Sequence, residues 1–267
     1  TTTSIEAMMW DKRALQSGTS HYFSTTFAEA FEIQFLNKDN TLQFCETTSW
    51  AISSRIIGAM IMVHGDDQGL VLPPRLAPIQ AVIVPIFKKE DEKAKVMEVA
   101  DRVFMELKAA GIRVKMDDRD NVSSGFKFND WEMRGVPVRV EIGPKDVEKG
   151  TVALARRDKP GKEGKTFVSQ TGLDSAVKGL LDDVQASLLK RATEYRDANI
   201  HDPKDYEELK KVVQDGWALS YWCESRECET KVKEEAKATT RNIPFNQPEA
   251  EGTCIVCGKP SKRKVYF

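Results

Sequence analysis

The chain has 267 residues and a mass of 30.1 kDa, which is enough for one large domain or two modest ones with a sizeable buried core. Apolar residues make up 40% and charged residues 30% of the chain, and this composition excludes a disordered protein. The 40 Lys and Arg nearly balance the 41 Asp and Glu, so net charge alone indicates no polyanionic partner.

The sequence predicts neither a membrane protein nor a secreted one. Its longest strongly apolar stretch, residues 56–63, is far shorter than the ~20 residues that cross a bilayer. The N-terminus lacks the basic and apolar order of a signal peptide, and five cysteines are few for a secreted disulfide scaffold. We therefore expect a cytoplasmic protein and, because the chain opens with Thr1 and not Met, a portion of a longer one.

Residues 1–77 have the highest density of unusual side chains. Arg55 follows a strand-like stretch and precedes a helical one that includes Ile56 and Ile57. An unpaired guanidinium in so apolar a neighbourhood is costly, so we expect Arg55 to meet an anion. The planar guanidinium can donate two parallel hydrogen bonds to a phosphate. A fixed salt bridge to a carboxylate is the alternative.

Residues 78–195 follow an alternating α/β pattern, which starts after Pro73, Pro74 and Pro78 interrupt any helix. The pattern predicts strands at 81–86, 112–116, 136–142, 151–156 and 166–169, amphipathic helices at 96–111 and 173–188, and a polar loop at 117–124. Five strands with at least two packing helices make a domain of about the common 100-residue size.

Residues 196–267 open with a predicted helix. Asp202 as N-cap and Pro203 as the first helical residue predict a helix that runs to about Val213. A Lys-rich stretch at 231–237 is more typical of a solvated helix face than of a binding patch. After the first helix, cysteines become the informative residues.

Four of the five cysteines form two closely spaced pairs, which are Cys223 with Cys228 and Cys254 with Cys257. In a reducing compartment such thiolates can converge on a tetrahedral Zn²⁺ with sulfur ligands at ~2.3 Å. The alternatives are four unrelated thiols or two disulfides, and a cytoplasmic location disfavours disulfides. With four ligands the zinc is expected to be structural and to organise a small domain that lacks its own apolar core.

Three segments of the chain carry distinctive motifs, which are RALQSGTSH at 13–21, SWAISSRIIG at 49–58 and MVHGDDQGLVLPPRLAP at 62–78. Together they resemble prolyl-tRNA synthetases of the archaeal and eukaryotic-like type. The resemblance continues through residues 130–139, residues 141–146 and the cysteine tail, so it covers essentially the whole chain.

This resemblance implies an enzyme that activates L-proline with ATP and transfers the prolyl group to tRNA(Pro). It implies ATP contacts by Gln16, Thr19, Ser53 and Arg55, and a proline contact by His21. It also places Gln16 near a Mg²⁺ that phosphate oxygens and waters largely hold. The work of such a protein is positioning and charge neutralisation more than covalent chemistry.

The resemblance further implies an anticodon-binding domain at residues 78–195. Glu132, Arg139, Lys145 and Asp146 match positions that read the guanines of the proline anticodon. Carboxylates can accept from guanine nitrogens, and Arg or Lys can donate to O6 and N7. An ordinary surface ion-pair cluster is the alternative for these four residues.

The resemblance also sets limits on the chain. The family's first two signature motifs are expected upstream of Thr1, so we expect the chain to lack full catalysis and to expose strand edges and apolar side chains. The family usually continues a few residues beyond Phe267. One alternative is a non-catalytic tRNA-binding module. Another is a threonyl or glycyl synthetase, but the GTSH sequence at residues 18–21 and the four cysteines near the C-terminus disfavour it.

The expected fold class is α/β with three parts. Residues 1–77 are expected to form part of a class II antiparallel catalytic sheet, through which the protein would form a homodimer. Residues 78–195 are expected to form the anticodon-binding domain around a five-stranded mixed sheet. Residues 196–267 are expected to form a small α+β zinc-bound domain.

Overall fold

Residues 1–159 and 161–267 are described by a computed structural model, in which the chain divides into two compact units. One unit contains residues 1–59 and 194–267, and the other contains residues 60–193. Within these described residues, no helix is both long and apolar enough to span a membrane.

The first part of the chain folds into short strands and two helices. In chain order these are β1 (Thr2–Met8), β2 (Ala14–Ser24), α1 (Thr26–Ala30), β3 (Gln34–Leu36), β4 (Leu42–Phe44), β5 (Thr47–Ile52) and α2 (Arg55–His64). Strands β1, β2 and β5 form an antiparallel sheet, as expected for residues 1–77. Ile5, Trp50 and Ile52 are mostly exposed on it, which confirms the expected uncovered apolar side chains.

The middle of the chain alternates strands and helices, as the sequence predicts. The elements are β6 (Ala81–Pro85), α3 (Glu90–Ala109), β7 (Val114–Met116), α4 (Ser124–Met133), β8 (Val138–Ile142), α5 (Pro144–Lys149), β9 (Thr151–Arg156), a 3₁₀ turn (Lys162–Gly164), β10 (Lys165–Ser169) and α6 (Leu173–Ala198). The strands form a sheet in the order β10-β9-β8-β6-β7. Strands β7, β6 and β8 run parallel, and β8, β9 and β10 run antiparallel, so the predicted five-stranded mixed sheet is confirmed.

Alternate residues of β8 face the two sides of this sheet. Val138, Val140 and Ile142 join the main core with residues of α3 and α6, while Arg139 and Glu141 face the side of α4. Helices α4 and α5 were not predicted. The local signals were the N-cap Ser123, whose hydroxyl accepts from Phe126 N, and Pro144 at the first position of α5.

The last part of the chain packs around a small core of its own. Its elements are β11 (Ile200–His201), α7 (Tyr206–Val212), β12 (Trp217–Tyr221), α8 (Arg226–Glu235), β13 (Gly252–Thr253), β14 (Pro260–Ser261) and β15 (Lys264–Tyr266). Leu209, Val232 and Val265 are fully buried together, so the expectation that this region lacks an apolar core is wrong.

The predicted start of helix α7 is also wrong. Asp205, and not Asp202, is its N-cap, since the Asp205 carboxylate accepts from the backbone N–H of Glu208 at 2.8 Å. Pro203 lies before the helix, and α7 begins at Tyr206. Two aspartates three residues apart offered equivalent caps, and the sequence signal favoured the one beside proline.

Candidate functional sites

The four paired cysteines converge on one point. All four Sγ atoms lie within 4.8 Å of one another. Cys223 Sγ is 3.6 Å from Cys228 Sγ and 3.7 Å from Cys257 Sγ. Sulfur ligands ~2.3 Å from a central ion at tetrahedral angles lie ~3.8 Å apart, so this cluster could hold a metal ion.

Two local structures present the four thiols. Cys223 and Cys228 lie around the start of α8, where the Ser225 hydroxyl caps the helix by accepting from Cys228 N at 3.2 Å. Cys254 and Cys257 lie in the turn between β13 and β14. This turn closes through a bond from Gly258 N to Cys254 O at 2.8 Å, with Gly258 at a φ of +71° that suits glycine.

Burial and hydrogen bonds give the thiols different acidities. Burial raises the pKa of Cys228 to about 12 and also raises the pKa of Cys254. Burial acts in the same direction on Cys223, but hydrogen bonds from Ser225 and from neighbouring cysteines lower its pKa to about 6. Metal binding to this cluster must therefore release protons from the buried thiols.

Three predicted ligand-binding residues share one face of the β1–β2–β5 sheet. Ile5 pairs with Gly18 and Glu6 with Gln16, so β2 has an extra residue at this point. This β-bulge puts Gln16 on the same face as Thr19 and His21, which a regular strand would not do. His21 Nε2 lies 3.1 Å from Thr19 Oγ1.

Ser53 and Arg55 lie where β5 ends and α2 begins. The Ser53 hydroxyl accepts from the backbone N–H of Arg55 at 3.3 Å, and Ser53 N donates to Ser17 O at 3.0 Å. The Arg55 side chain is exposed and has no carboxylate partner among the described residues, so no fixed salt bridge occupies it there. Ile56 and Ile57 are exposed as well, so the premise of a desolvated arginine is wrong for this chain.

A buried carboxylate supports Gln16, and sequence reasoning missed it. The Glu6 side chain is 2% exposed and accepts from Gln16 Nε2 at 3.2 Å. Arg241 Nη2 lies 2.8 Å from the other oxygen of Glu6. Because 235 residues separate Glu6 from Arg241, no local pattern could have shown the pair.

The structure brings Glu132 and Arg139 together on the α4 side of the five-stranded sheet. Arg139 Nη1 lies 2.7 Å from Glu132 Oε1, and Arg139 Nε lies 3.0 Å from Glu141 Oε1. The guanidinium also lies over the ring of Phe128, 4.0 Å from its centroid. Arg139 is therefore fixed by two carboxylates and an aromatic face.

Lys145 and Asp146 lie elsewhere, in the first turn of α5 beyond the C-terminal end of β8. The Asp146 carboxylate accepts from Gly143 N at 2.9 Å and so caps its own helix. Lys145 is exposed. Asp146 therefore caps α5 in addition to its predicted contact with the anticodon.

Arg157 holds the backbone next to the Glu132–Arg139 pair, and the sequence did not indicate it. Its Nε donates to Glu132 O at 2.9 Å, and its two terminal nitrogens lie 2.8 and 2.5 Å from the Asp66 carboxylate. The hydrogen bond from Arg157 lowers the pKa of Asp66. Because the Arg157 side chain is 2% exposed, its positive charge depends on these partners for compensation.

Comparisons with known proteins bear on these sites. A family model described as "Anticodon binding domain" matches residues 80–183, and one described as "Prolyl-tRNA synthetase, C-terminal" matches residues 206–267. A proline–tRNA ligase of Roseiflexus castenholzii is 52% identical over 263 residues, which are 98% of this chain and 55% of that protein. The chain is homologous to proline–tRNA ligases over nearly its whole length and contains the regions that both family models describe.

Other relatives agree with this finding. A proline–tRNA ligase of Chloroflexus aggregans is 52% identical over 98% of the chain and 55% of that protein. The chloroplastic/mitochondrial proline–tRNA ligase of Arabidopsis thaliana is 48% identical over 100% of the chain and 50% of that protein. The chain thus spans about half the length of the proline–tRNA ligases it matches, and the resemblance seen in the sequence is confirmed.

Proposed function

We propose that the chain binds the anticodon of tRNA(Pro) and forms part of the proline-activating site of a proline–tRNA ligase. The observation that carries the proposal is the Glu132–Arg139 pair, which is partly exposed within the region that matches the anticodon-binding model. Residues 1–77, 78–195 and 196–267 would be the catalytic, anticodon-binding and zinc-binding portions.

The proposed anticodon contacts use a charge pair that is already formed. Glu132 would accept from the N1 and N2 hydrogens of a guanine, and Arg139 would donate to O6 and N7. Glu141 retains its bond to Arg139 Nε while Nη1 exchanges Glu132 for a base. Lys145 and Asp146 would contact a second guanine from α5, where the exposed Lys145 ammonium is available.

The proposed activation site uses the polar face of the β1–β2–β5 sheet. A proline carboxylate oxygen attacks the α-phosphorus of ATP, the bond from that phosphorus to its bridging oxygen breaks, and pyrophosphate leaves. Thr19, Ser53 and Arg55 would orient the ATP, and His21 would contact proline. Arg55 fits this role because its exposed guanidinium is available to a phosphate.

Two metal ions belong to the proposal. Gln16 would hold Mg²⁺ through its amide oxygen, since its amide nitrogen is the atom that donates to Glu6. That ion would supply charge neutralisation at the phosphates. The cysteine cluster would hold structural Zn²⁺, because four thiols at tetrahedral spacing match its preferred donor set.

Two further predictions belong to the proposal. We propose a homodimer formed through residues 1–77, which the exposed Ile5, Trp50 and Ile52 support. A cytoplasmic location also stays a prediction, and the Arabidopsis relative is named chloroplastic/mitochondrial.

Separate assays of tRNA charging and of proline-dependent ATP–pyrophosphate exchange test the proposal. In the enzyme that contains this chain, Glu132→Ala should reduce the charging efficiency by roughly 5- to 150-fold, because a guanine contact is worth ~1–3 kcal/mol. Exchange should be unchanged. Equal losses in both assays would count against an anticodon role, and activity in neither assay would leave the chain a non-catalytic tRNA-binding module.

A further inference from the structure

The α4 side of the five-stranded sheet has an exposed aromatic ring that the proposed anticodon contacts do not use. Phe167 lies on β10, which is one of the two edge strands of this sheet, and it is 68% exposed. The next residue, Val168, packs against the main core from the other face of the strand. Val168 therefore anchors β10, and Phe167 is not needed for core packing.

Strand register connects Phe167 to the Glu132–Arg139 pair. Directly opposite residues on neighbouring strands share a face of the sheet. Two cross-strand rows run over β10, β9 and β8, and they are Phe167–Ala153–Glu141 and Lys165–Ala155–Arg139. Phe167 and Lys165 thus border the same surface as Arg139.

Glu141 fixes the two cations of this surface. Its Oε1 lies 3.0 Å from Arg139 Nε, and its Oε2 lies 2.6 Å from Lys165 Nζ. Lys165 Nζ also lies 5.7 Å from the centroid of the Phe167 ring. The exposed ring therefore has a positioned cation at one side and the proposed guanine-reading arginine on the same face.

The charge balance of this surface favours an unpaired base over a nucleic-acid backbone. Glu132 and Glu141 neutralise Arg139 and Lys165, so little positive charge is left for the dense phosphates of a duplex. A flat ring beside hydrogen-bonding groups is the arrangement that splayed single-stranded bases use. The ligand class that fits is a loop nucleotide.

We propose that Phe167 stacks on an unpaired base of the tRNA(Pro) anticodon loop, with Lys165 beside that nucleotide. The proposal rests on the proposed function, and it adds a binding residue to the four positions already considered. Stacking requires only a π-face, so Phe167 would contribute affinity, while Arg139 and Glu132 would contribute base identity.

The test uses this chain and a synthetic tRNA(Pro) anticodon stem-loop with fluorescent 2-aminopurine at each loop position in turn. Stacking on Phe167 should quench one position in the wild-type complex. Phe167→Leu keeps apolar bulk without a ring and should weaken binding roughly tenfold and remove that quenching. Phe167→Tyr keeps the ring and should bind within about twofold of wild type.

Phe126→Leu is the matched control, because Phe126 is an exposed phenylalanine of the same unit on α4. It should leave affinity and quenching unchanged. Unchanged binding by Phe167→Leu, with Glu132→Ala weakened, would overturn the stacking proposal alone. Equal losses in Phe126→Leu and Phe167→Leu would overturn it too. A wild-type chain that fails to bind the stem-loop would overturn the proposed function and, with it, the stacking.

Discussion

The two units of the chain differ in how the charged groups of their candidate sites are paired. In residues 60–193, Arg139, Lys165 and Arg157 are all paired with carboxylates from other segments of the same unit. In the unit of residues 1–59 and 194–267, Arg55 has no carboxylate partner among the described residues. In the same unit, four cysteines converge whose thiolates would repel one another. The site cations of residues 60–193 are thus held by carboxylates of the chain, whereas Arg55 and the cysteine cluster depend on ligands of opposite charge, although their unit also contains the partly buried Glu6–Arg241 pair.

This difference has a consequence for mutations. Removing one member of a buried pair leaves an uncompensated charge, so it should cost stability before it costs binding. Removing an exposed, unpaired cation should cost ligand binding and leave stability unchanged. The predictions below test that contrast, from the largest expected effect to the smallest.

Loss of metal from the cysteine cluster should have the largest effect. Structural zinc contributes ~10–16 kcal/mol of apparent binding free energy in small zinc domains, and that energy is coupled to folding. We expect elemental analysis to find one Zn²⁺ per chain and Cys254→Ser to abolish it. Amide exchange should then rise in residues 194–267 and stay low in residues 60–193.

Cys45→Ser is the control, since Cys45 is a free cysteine outside the cluster. It should retain the metal and the protection of residues 194–267. A chain purified under reducing conditions with no bound metal would contradict the zinc proposal. Full protection of residues 194–267 in metal-free Cys254→Ser would show that their own small core is sufficient.

Asp66→Ala should cause the second-largest effect. It leaves the Arg157 guanidinium, which is 2% exposed, without its carboxylate. Breaking a fully buried pair costs ~3–5 kcal/mol, and because the Asp66 side chain is 41% exposed, we expect the lower end of that range. The loss should appear in urea unfolding and as faster amide exchange within residues 60–193. Asp67→Ala is the matched control, since Asp67 is exposed and has no ion pair among the described residues. Similar unfolding of both variants would contradict the role of Arg157.

The five-stranded sheet shows how much of the fold was predictable. Strand β9 was predicted at its observed bounds, because its alternating pattern is bordered by Gly150 and a polar loop. Helix α4 was not predicted, because Lys127 and Trp131 are its only buried residues and give no clear apolar periodicity. Local periodicity reports a helix only where the helix buries a continuous apolar stripe.

The candidate sites were predictable to the extent that their residues are close in sequence. The spacing of Cys254 and Cys257 indicated the cysteine cluster, and the structure brings its four thiols together. The Glu6–Arg241 and Asp66–Arg157 pairs join distant segments, so only the fold reveals them. The β-bulge that puts Gln16 on the face of Thr19 is likewise a property of strand pairing.

Arg55→Ala should separate binding from stability most clearly. Under the proposed function, losing a phosphate contact costs ~2–4 kcal/mol of transition-state stabilisation in adenylate formation. Because Arg55 is exposed and unpaired within the described residues, urea unfolding should not change. ATP–pyrophosphate exchange by the enzyme that contains this chain measures the first effect. The exposed Arg13 provides a control, and Arg13→Ala should leave exchange intact.

An acid-pH dependence in residues 60–193 should be the smallest effect. Burial acts to raise the pKa of Asp117, but hydrogen bonds from Arg119 and Trp131 lower it to about 2, from an ordinary value of 3.8. A lowered folded-state pKa gives stability that is complete above the ordinary pKa and is lost as pH falls towards the folded one. The free energy of unfolding measured in urea should therefore fall by on the order of 1 kcal/mol by about pH 3.

Asp117→Asn tests the assignment of this pH dependence, because an amide does not titrate. We expect this variant to be less stable at neutral pH and to lose the slope between pH values of about 4 and 2. Asp118→Asn is the matched control, since Asp118 is the exposed neighbour, and it should keep the wild-type slope. If Asp117→Asn retains that slope, another carboxylate of residues 60–193 carries the effect, and Asp66 with its lowered pKa is then the group to replace.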